Sequence, residues 1–257
     1  MNWDPEQYGH YADERSRPFV DLVARIGCAT ATHVVDLGCG PGTMTALLAS
    51  RWPDAVITGI DSSPEMIASA GPLARDRLRF AVGDAATWAM PADLDVLISN
   101  ATLQWVPGHV ELLRGWAAAL RPGGWIAVQV PGNFGAPSHV LMRELAESPR
   151  WAPLLDGVLR HGDAVATPAE YAAVLLSAGL AADVWETTYL HLLPGPDPVL
   201  DWVRGTGLRP VLAALPPDER AEFEATYAAA LREAYPRTGD VTVFPFRRIF
   251  AVAHRAA

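Results

Sequence analysis

Three glycines and one acid, closely spaced in the first fifth of the chain, carry the strongest chemical signal in the sequence. Asp36 lies in an apolar run, and Gly38, Gly40 and Gly42 follow at alternate positions, before a stretch that favours a helix. Glycine lets a ligand approach bare backbone, and it adopts the positive φ that a tight turn requires. A strand, such a loop and a helix in succession indicate a nucleotide-like ligand held against backbone N–H groups.

Two classes of ligand compete for this loop. The dinucleotide fingerprint G-x-G-x-x-G would place its third glycine at Thr43, so that match fails there. The glycines instead follow a G-x-G-x-G pattern preceded by Asp36, which resembles the first motif of class I methyltransferases that use S-adenosylmethionine. That ligand carries an ammonium and a sulfonium but no pyrophosphate, so a nearby acid suits its charge. An ordinary glycine turn is the remaining interpretation.

Polar residues also follow the next predicted strands, where the carboxyl ends of parallel strands form a ligand crevice. Asp61 ends the second strand, and a carboxylate there can accept hydrogen bonds from both ribose hydroxyls. Asp84 follows the third strand, where an acid can contact an adenine amino group, although a plain turn acid explains it equally well. The predicted donor-binding residues are Asp36, Gly38, Gly40, Asp61, Ser62, Asp84, Ala85 and Asn100.

Arginines in the second half of the chain indicate what kind of substrate the protein binds. A single arginine is more often a surface residue, but several folded over one pocket would bind a carboxylate through paired hydrogen bonds. Two residues near the amino end, Tyr8 and Arg15, are expected to close over the donor, and ordinary packing accounts for them equally well. The predicted substrate-binding residues are Tyr8, Arg15, Gln104, Trp105, His139, Arg143, Arg209 and Arg247.

The order of elements predicts an α/β fold. Apolar strands alternate with helices, which indicates a Rossmann-like, mostly parallel seven-stranded sheet flanked by helices, with a helical insertion between strands 6 and 7. We expect a single domain with five parts. These are an amino-terminal cap (1–32), a donor-binding core (33–130), a continuation of the sheet (131–193), a helical lid (194–240) and a final strand (241–257).

Composition narrows the classes of function. The formal net charge of −9 argues against nucleic acid and anionic membranes as partners, yet local arginines still permit a small acidic substrate. No apolar run is long enough to span a bilayer, and no secretory signal is visible. Scattered histidines and two cysteines give little support for a metal site. We therefore expect a cytoplasmic, metal-free protein, either a monomer or a homodimer.

The chain as a whole resembles the trans-aconitate methyltransferases. That resemblance implies a class I methyltransferase fold and methyl transfer from S-adenosylmethionine to one carboxylate of trans-aconitate, which gives a monomethyl ester. A carboxylate is ionised at pH 7, so no general base is expected. The segments that carry the resemblance are WDP (3–5) with Tyr8, ERSRP (14–18), VVDLGCGPG (34–42), GIDSSPEMI (59–67), NATLQWVP (100–107), PGNF (131–134), SHVLMR (138–143), DVWETTYLH (183–191), DWVRGTGLRP (201–210) and FPFRRIF (244–250).

Three alternatives stay open at this point. The protein could methylate another small carboxylic acid or a secondary metabolite, or it could be an oxidoreductase that binds a dinucleotide. It could also bind the donor without catalysing a reaction. The resemblance leaves the choice of carboxylate open as well.

Overall fold

The computed structural model describes residues 12–159 and 164–257, and the chain forms two compact units. The first unit contains Met1–Pro131, Val165–Thr187 and Arg248–Ala257, and the second contains Gly132–Ala164 and Thr188–Arg247. The division of the chain into the five parts given above stays a prediction.

The described residues form ten α-helices and eight strands. The helices are α1 (Ala12–Ala24), α2 (Thr43–Arg51), α3 (Pro64–Ala70), α4 (His109–Ala119), α5 (Pro137–Ala146), α6 (Ala152–Leu155), α7 (Pro168–Ser177), α8 (Pro198–Arg204), α9 (Arg209–Ala214) and α10 (Pro217–Ala234). The strands are β1 (His33–Leu37), β2 (Val56–Asp61), β3 (Leu78–Val82), β4 (Val96–Asn100), β5 (Trp125–Pro131), β6 (Ala181–Pro194), β7 (Arg237–Thr238) and β8 (Val241–His254).

Seven strands form a sheet in the order β3-β2-β1-β4-β5-β8-β6. The pairs β2–β3, β1–β2, β1–β4 and β4–β5 are parallel, whereas β8 runs antiparallel to β5. The register places Asp36 beside Gly59 and Ile98, so the carboxyl ends of β1, β2 and β4 lie side by side. This confirms the α/β fold with a mostly parallel sheet. The two-residue β7, which pairs with β8, is an additional strand that the sequence did not indicate.

Burial explains why the inner strands contain apolar residues at successive positions. Val34, Val35, Val96, Leu97 and Ile98 are between 0% and 2% exposed, as expected for a sheet covered on both faces. Polar start signals define the neighbouring helices. The Ser63 hydroxyl accepts the backbone N–H of Met66 at the start of α3, and Thr167 forms a complete capping box at the start of α7.

Two strands contain stretches whose sequence patterns are not typical of a strand. At the end of β6, Leu190 and Leu192 are each 60% exposed, whereas His191 between them is 3% exposed, which inverts the usual apolar-in pattern. The first half of β8 contains Pro245, a residue that argues against a strand because it lacks a backbone donor. The second unit also contains α5, α6 and the predicted helical segment α8–α10.

Candidate functional site

The glycine loop after β1 is built on positive backbone angles. Gly38, Gly40 and Gly42 have φ values of 87°, 54° and 77°. The backbone N–H groups of Gly38 and Cys39 both donate to the carbonyl oxygen of Ile60, at 2.7 and 3.0 Å. These bonds anchor the loop to the end of β2.

The three glycines face different surroundings. A Cβ on Gly38 would lie 1.9 Å from the hydroxyl of Thr102, and one on Gly42 would lie 2.6 Å from the ring of Phe80. A Cβ on Gly40 would meet no atom within 4 Å. Gly38 and Gly42 therefore permit close packing inside the unit, whereas Gly40 leaves open space beside the loop.

Asp61 links the loop to the residues that follow β2. One carboxylate oxygen accepts the backbone N–H of Gly40 and the other accepts that of Ser63, each at 2.9 Å. Each oxygen has two lone pairs, so each retains the capacity to accept a ligand hydroxyl. Asp61 is half-buried and Ser62 beside it is exposed.

Asp36 lies beneath the loop. It is 2% exposed, and one of its carboxylate oxygens accepts the hydroxyl of Thr45 at 2.6 Å. Burial raises the pKa of the Asp36 carboxyl to about 7; the hydrogen bond from Thr45 opposes this rise and the charge of Asp61 adds to it. Asp36 can therefore act on a cationic ligand through its charge, across the loop, rather than through exposed lone pairs.

Two further predicted donor-binding residues follow β3. Asp84 is exposed, and its side chain accepts the backbone N–H of Ala86 at 2.9 Å, which is an Asx turn. Ala85 is 7% exposed and belongs to the hydrophobic core. Asp84 thus keeps lone pairs for an amino group, whereas Ala85 contributes packing.

The end of β4 contains a strained turn and an unsatisfied acceptor. Ala101 has a φ of 55°, the one positive value outside glycine among the described residues. The side-chain oxygen of Asn100 is buried and accepts no hydrogen bond from the described residues. A buried acceptor without a donor is unfavourable, so its presence beside a crevice favours a ligand donor.

The other two predicted residues of this segment differ in burial. Gln104 is 5% exposed and donates to the carbonyl oxygen of Ala101 at 2.7 Å, whereas Trp105 is half-buried. Gln104 thus supports the strained turn, and Trp105 remains partly accessible. Both lie at the same edge of the sheet as the glycine loop.

Two threonines have roles that sequence reasoning missed. The Thr102 hydroxyl lies 3.3 Å from the carbonyl oxygen of Gly38 and 3.2 Å from that of Asn100, so it connects the ends of β1 and β4. Thr45 donates to Asp36 from the first turn of α2. The contact of Thr102 with Gly38 has no local signal in the sequence, whereas Thr45 follows the glycine loop closely enough to be a candidate donor to the preceding acid.

In the second unit, α5 carries two of the predicted substrate-binding residues one turn apart. His139 and Arg143 lie at positions i and i+4 and so share one face of the helix. Burial lowers the pKa of His139 to about 4, and the positive charge of Arg143 adds to this effect. No carboxylate of the described residues pairs with Arg143, whereas Arg204 in the same unit pairs with Asp201 and Glu224.

The remaining arginines of the second unit lie on other elements. Arg209 begins α9, two residues beyond Gly207. Gly207 lies close to His139, because a Cβ added to Gly207 would lie 3.4 Å from the imidazole Nε2. Arg247 lies on β8, and its guanidinium donates to the carbonyl oxygen of Gly132 at 3.3 Å. Both are half-buried.

Asn133 positions Arg247 and was also missed. Its amide donates to the Arg247 carbonyl oxygen at 3.0 Å, and its side-chain oxygen accepts the Arg247 N–H at 2.8 Å. Asn133 is 3% exposed, and its own carbonyl oxygen accepts the N–H of Ala136, just before α5. A contact between residues so far apart in the chain leaves no local sequence signal.

The structure gives little information on Tyr8 and Arg15, the two predicted substrate-binding residues near the amino end. Tyr8 lies outside the described residues, and for Arg15 the structure describes the backbone of α1 alone. Within the described residues, no group of three or more His, Cys, Asp or Glu side chains is placed to hold a metal ion. No helix in the same part of the chain is long and apolar enough to cross a membrane.

Comparison with known proteins gives consistent matches. A family model described as a methyltransferase domain matches residues 34–124. The chain is 59% identical over 263 residues to the trans-aconitate 2-methyltransferase of Streptomyces avermitilis, with 100% of this chain and 98% of the relative covered. A relative of the same name from Mycobacterium sp. (strain KMS) is 52% identical over 254 residues, with 98% of each chain covered.

Among solved structures, phosphoethanolamine N-methyltransferase 2 from Haemonchus contortus, in complex with S-adenosyl-L-methionine, has a TM-score of 0.54. The match has 16% identity and covers 94% of this chain and 53% of that chain. Similarity at this level of identity shows that the two chains share a fold.

Proposed function

The chain belongs to the trans-aconitate 2-methyltransferase family, and we propose that it transfers a methyl group from S-adenosylmethionine to one carboxylate of trans-aconitate. The products would be a monomethyl ester and S-adenosylhomocysteine. The observation that carries the proposal is the extent of the likeness. It covers the second unit as well, which lies outside the segment matched by the general methyltransferase model.

The first unit offers groups that suit this donor. Asp61 has free lone pairs for ribose hydroxyls, and Asn100 has a buried side-chain oxygen that lacks a donor. Gly40 leaves open space beside the loop, and the buried carboxyl of Asp36 supplies negative charge when ionised. These features favour a ligand that combines a ribose with positive charge, as S-adenosylmethionine does.

The reaction places modest chemical demands on the protein. When bound, S-adenosylmethionine supplies an electrophilic methyl group. A carboxylate with an ordinary pKa near 4 is already a nucleophile at pH 7, so no side chain has to remove a proton. The protein has to hold the acid in one orientation and exclude water from the reacting oxygen.

Arginines of the second unit are suited to hold the acid. Arg143 has no carboxylate partner among the described residues, so its guanidinium is available for a substrate carboxylate. We propose that Arg143, Arg209 and Arg247 bind the carboxylates that do not react, since a guanidinium on the reacting oxygen would weaken it as a nucleophile. His139 is neutral at pH 7 and contributes no charge to this set.

A substrate panel tests the reaction. Purified protein, S-adenosylmethionine and a series of di- and tricarboxylic acids are incubated together, and the products are identified by mass spectrometry. We expect a monomethyl ester from trans-aconitate at the highest kcat/KM. Preferred methylation of another acid would change the substrate assignment, and donor binding without turnover of any acid would favour a non-catalytic module.

Substitution of Arg209 tests the acid-binding set. We expect Arg209→Ala to raise the KM for trans-aconitate by about 10-fold or more, the usual effect of losing a charge-assisted hydrogen bond, while the Kd for S-adenosylmethionine changes little. Arg232→Ala is the matched control, because Arg232 pairs with Asp197 on the surface of the same unit. Normal use of trans-aconitate by Arg209→Ala would remove Arg209 from the set.

We further propose that the protein works in the cytoplasm without a metal ion, as a monomer or homodimer. Turnover that is unchanged by excess EDTA supports the metal-free reaction, and loss of turnover contradicts it. Sedimentation velocity measures the oligomeric state, and fractionation of the source cells locates the protein.

A further inference from the structure

Ser138, in the first turn of α5, is held through its backbone by two tyrosine hydroxyls. Its N–H donates to the hydroxyl of Tyr235 at 3.0 Å, and its carbonyl oxygen accepts the hydroxyl of Tyr227 at 2.6 Å. Ser138 is fully buried, and all three residues belong to the second unit. The position of Ser138 is therefore fixed without its side chain.

The Ser138 hydroxyl lies 3.2 Å from Nδ1 of His139. A hydroxyl carries one hydrogen, and Nδ1 is its one hydrogen-bond partner among the described residues. If Nδ1 carried a proton and donated it to Ser138, the buried hydroxyl hydrogen would be left without an acceptor, which is unfavourable. Ser138 therefore donates to Nδ1, and in neutral His139 the proton lies on Nε2.

The surroundings of His139 keep its imidazole neutral. The ring of Phe134 lies 5.5 Å away, and Gly207 faces Nε2 without a side chain. Among the described residues, Arg143 on the same helix is the charged group that acts on the ring, and Phe134 and Gly207, which approach the ring from other segments, carry no charge. Burial and this positive charge both oppose a second proton, and they lower the pKa of His139 to about 4.

We propose that His139 binds a carboxylate of the acid substrate as a neutral donor through Nε2–H, and that Ser138 is the positioning residue that fixes this tautomer. The inference rests on the proposed function. A neutral donor orients a carboxylate while neutralising its charge less than a cation does, so the oxygen remains reactive. Arg143 on the same helix face supplies the charge that His139 lacks.

The tautomer can be measured without any turnover. Long-range ¹H–¹⁵N correlation spectra distinguish protonated from unprotonated imidazole nitrogens, and the His139 signals are those absent from His139→Gln. We expect Nε2 protonated and Nδ1 unprotonated between pH 6 and 8 in the free protein. Ser138→Ala removes the hydroxyl and leaves both backbone bonds in place, so it should yield a mixture of tautomers. A proton on Nδ1 in the unsubstituted protein would overturn the inference.

Substitution of His139 tests which nitrogen meets the acid. The glutamine amide nitrogen lies near the position of Nε2, whereas the asparagine amide nitrogen lies near Nδ1. We expect His139→Gln to keep the KM for trans-aconitate within about threefold, and His139→Asn to raise it about 10- to 100-fold, as for a lost hydrogen bond to a charged group. Neither should change the Kd for S-adenosylmethionine. Equal effects of the two substitutions would overturn the inference.

Gly207→Ala provides a test that leaves the imidazole unchanged. The added methyl would lie 3.4 Å from Nε2 and 3.4 Å from the Met142 methyl, which is ordinary contact, so the fold should tolerate it. We expect a higher KM for the acid, because the space beside the donor is reduced. An unchanged KM would contradict an acceptor at Nε2.

The pH dependence gives the final check. If His139 acts as a neutral donor, the ratio of kcat/KM between the unsubstituted protein and His139→Gln stays constant from pH 6 to 8. A cationic donor would make that ratio fall as the pH rises through about 6.5. Failure of all acids as substrates would overturn the proposed function and the acceptor, and the measured tautomer would show separately whether the role of Ser138 is correct.

Discussion

The first unit offers its proposed ligand mainly backbone groups and short side chains, whereas the second unit offers the proposed acid long cationic side chains. In the first unit, Gly40, Asp61 and Ser63 are joined by hydrogen bonds of 2.9 Å at adjacent strand ends. In the second unit, His139, Arg143 and Arg247 come from a helix and a strand distant in sequence. The first arrangement suits S-adenosylmethionine, which many methyltransferases use. The second suits one acid substrate, since guanidinium groups recognise carboxylates through paired hydrogen bonds.

Loss of Asp61 should produce the largest change in ligand binding. Asp61→Ala removes the proposed acceptor of two ribose hydroxyls and the partner of two backbone N–H groups. Hydrogen bonds to a charged group contribute about 1.5 to 3 kcal/mol each, so we expect the Kd for S-adenosylmethionine to rise about 100-fold or more, measured by calorimetry. Asp54→Ala is the control, because Asp54 is an exposed acid paired with Arg77. A Kd within threefold of the original would contradict the role of Asp61.

Two glycines of the same loop should separate folding from binding. Gly38→Ala places a Cβ 1.9 Å from the Thr102 hydroxyl at a φ of 87°, and we expect the free energy of unfolding to fall by about 3 kcal/mol. Gly40→Ala meets no atom within 4 Å, so we expect a loss of about 1 kcal/mol from its φ alone, with a clear loss of donor affinity. Urea denaturation and calorimetry measure the two quantities. Equal stability of the two variants would show that the close approach of Thr102 to Gly38 does not prevent a larger residue at position 38.

Loss of Asn133 should affect the acid and spare the donor. Asn133→Ala removes both side-chain bonds to the Arg247 backbone, and we expect the KM for trans-aconitate to rise about 10-fold as Arg247 becomes less well oriented. Asn133→Asp keeps the acceptor for the Arg247 N–H and should give a smaller rise. Steady-state kinetics with each substrate varied in turn distinguishes this result from general damage, which would raise the KM for S-adenosylmethionine as well.

The two units also differ in how far their sequences predict them. The glycine loop after β1, the turn at Asp61 and the cap of α3 follow from adjacent residues. Local order is enough there, because a parallel sheet brings successive strand ends together. The fold class follows from the same alternation of strands and helices.

The remainder depends on contacts that sequence patterns do not contain. Thr102 meets Gly38 across the sheet, and Asn133 meets Arg247 across 114 positions of the chain. Leu190 and Leu192 hide the end of β6 because apolar side chains stand on its exposed face. The acid-binding residues were predicted through a resemblance to a family and from residue types, and no spacing between them shows which share a site.

The smallest effect we expect concerns the charge of Asp36. Its pKa of about 7 lies above the ordinary value because the carboxyl is buried, so it gains a proton as the pH falls through 7. The neutral carboxyl no longer attracts a cationic donor. If only the ionised form attracts the donor, affinity should fall about threefold from pH 7.5 to 6.5, the change in the ionised fraction for a pKa of about 7. Calorimetry at a series of pH values measures this slope.

Asp36→Asn separates this charge from other titrations. The amide is neutral at every pH and can still accept the Thr45 hydroxyl, so its Kd should be higher at pH 7.5 and nearly constant down to 6.5. Stability should change in the opposite direction. A raised carboxyl pKa means that the folded state loses stability as the pH rises from about 4 through 7. Asp36→Asn should therefore be more resistant to urea than the unsubstituted protein at pH 8. This difference should disappear near pH 4. Equal pH slopes of donor binding in the two proteins would show that Asp36 supports the structure of the loop and does not attract the donor through its charge. Asp61 and Asp84 would then remain as the predicted acids of the first unit that contact the ligand.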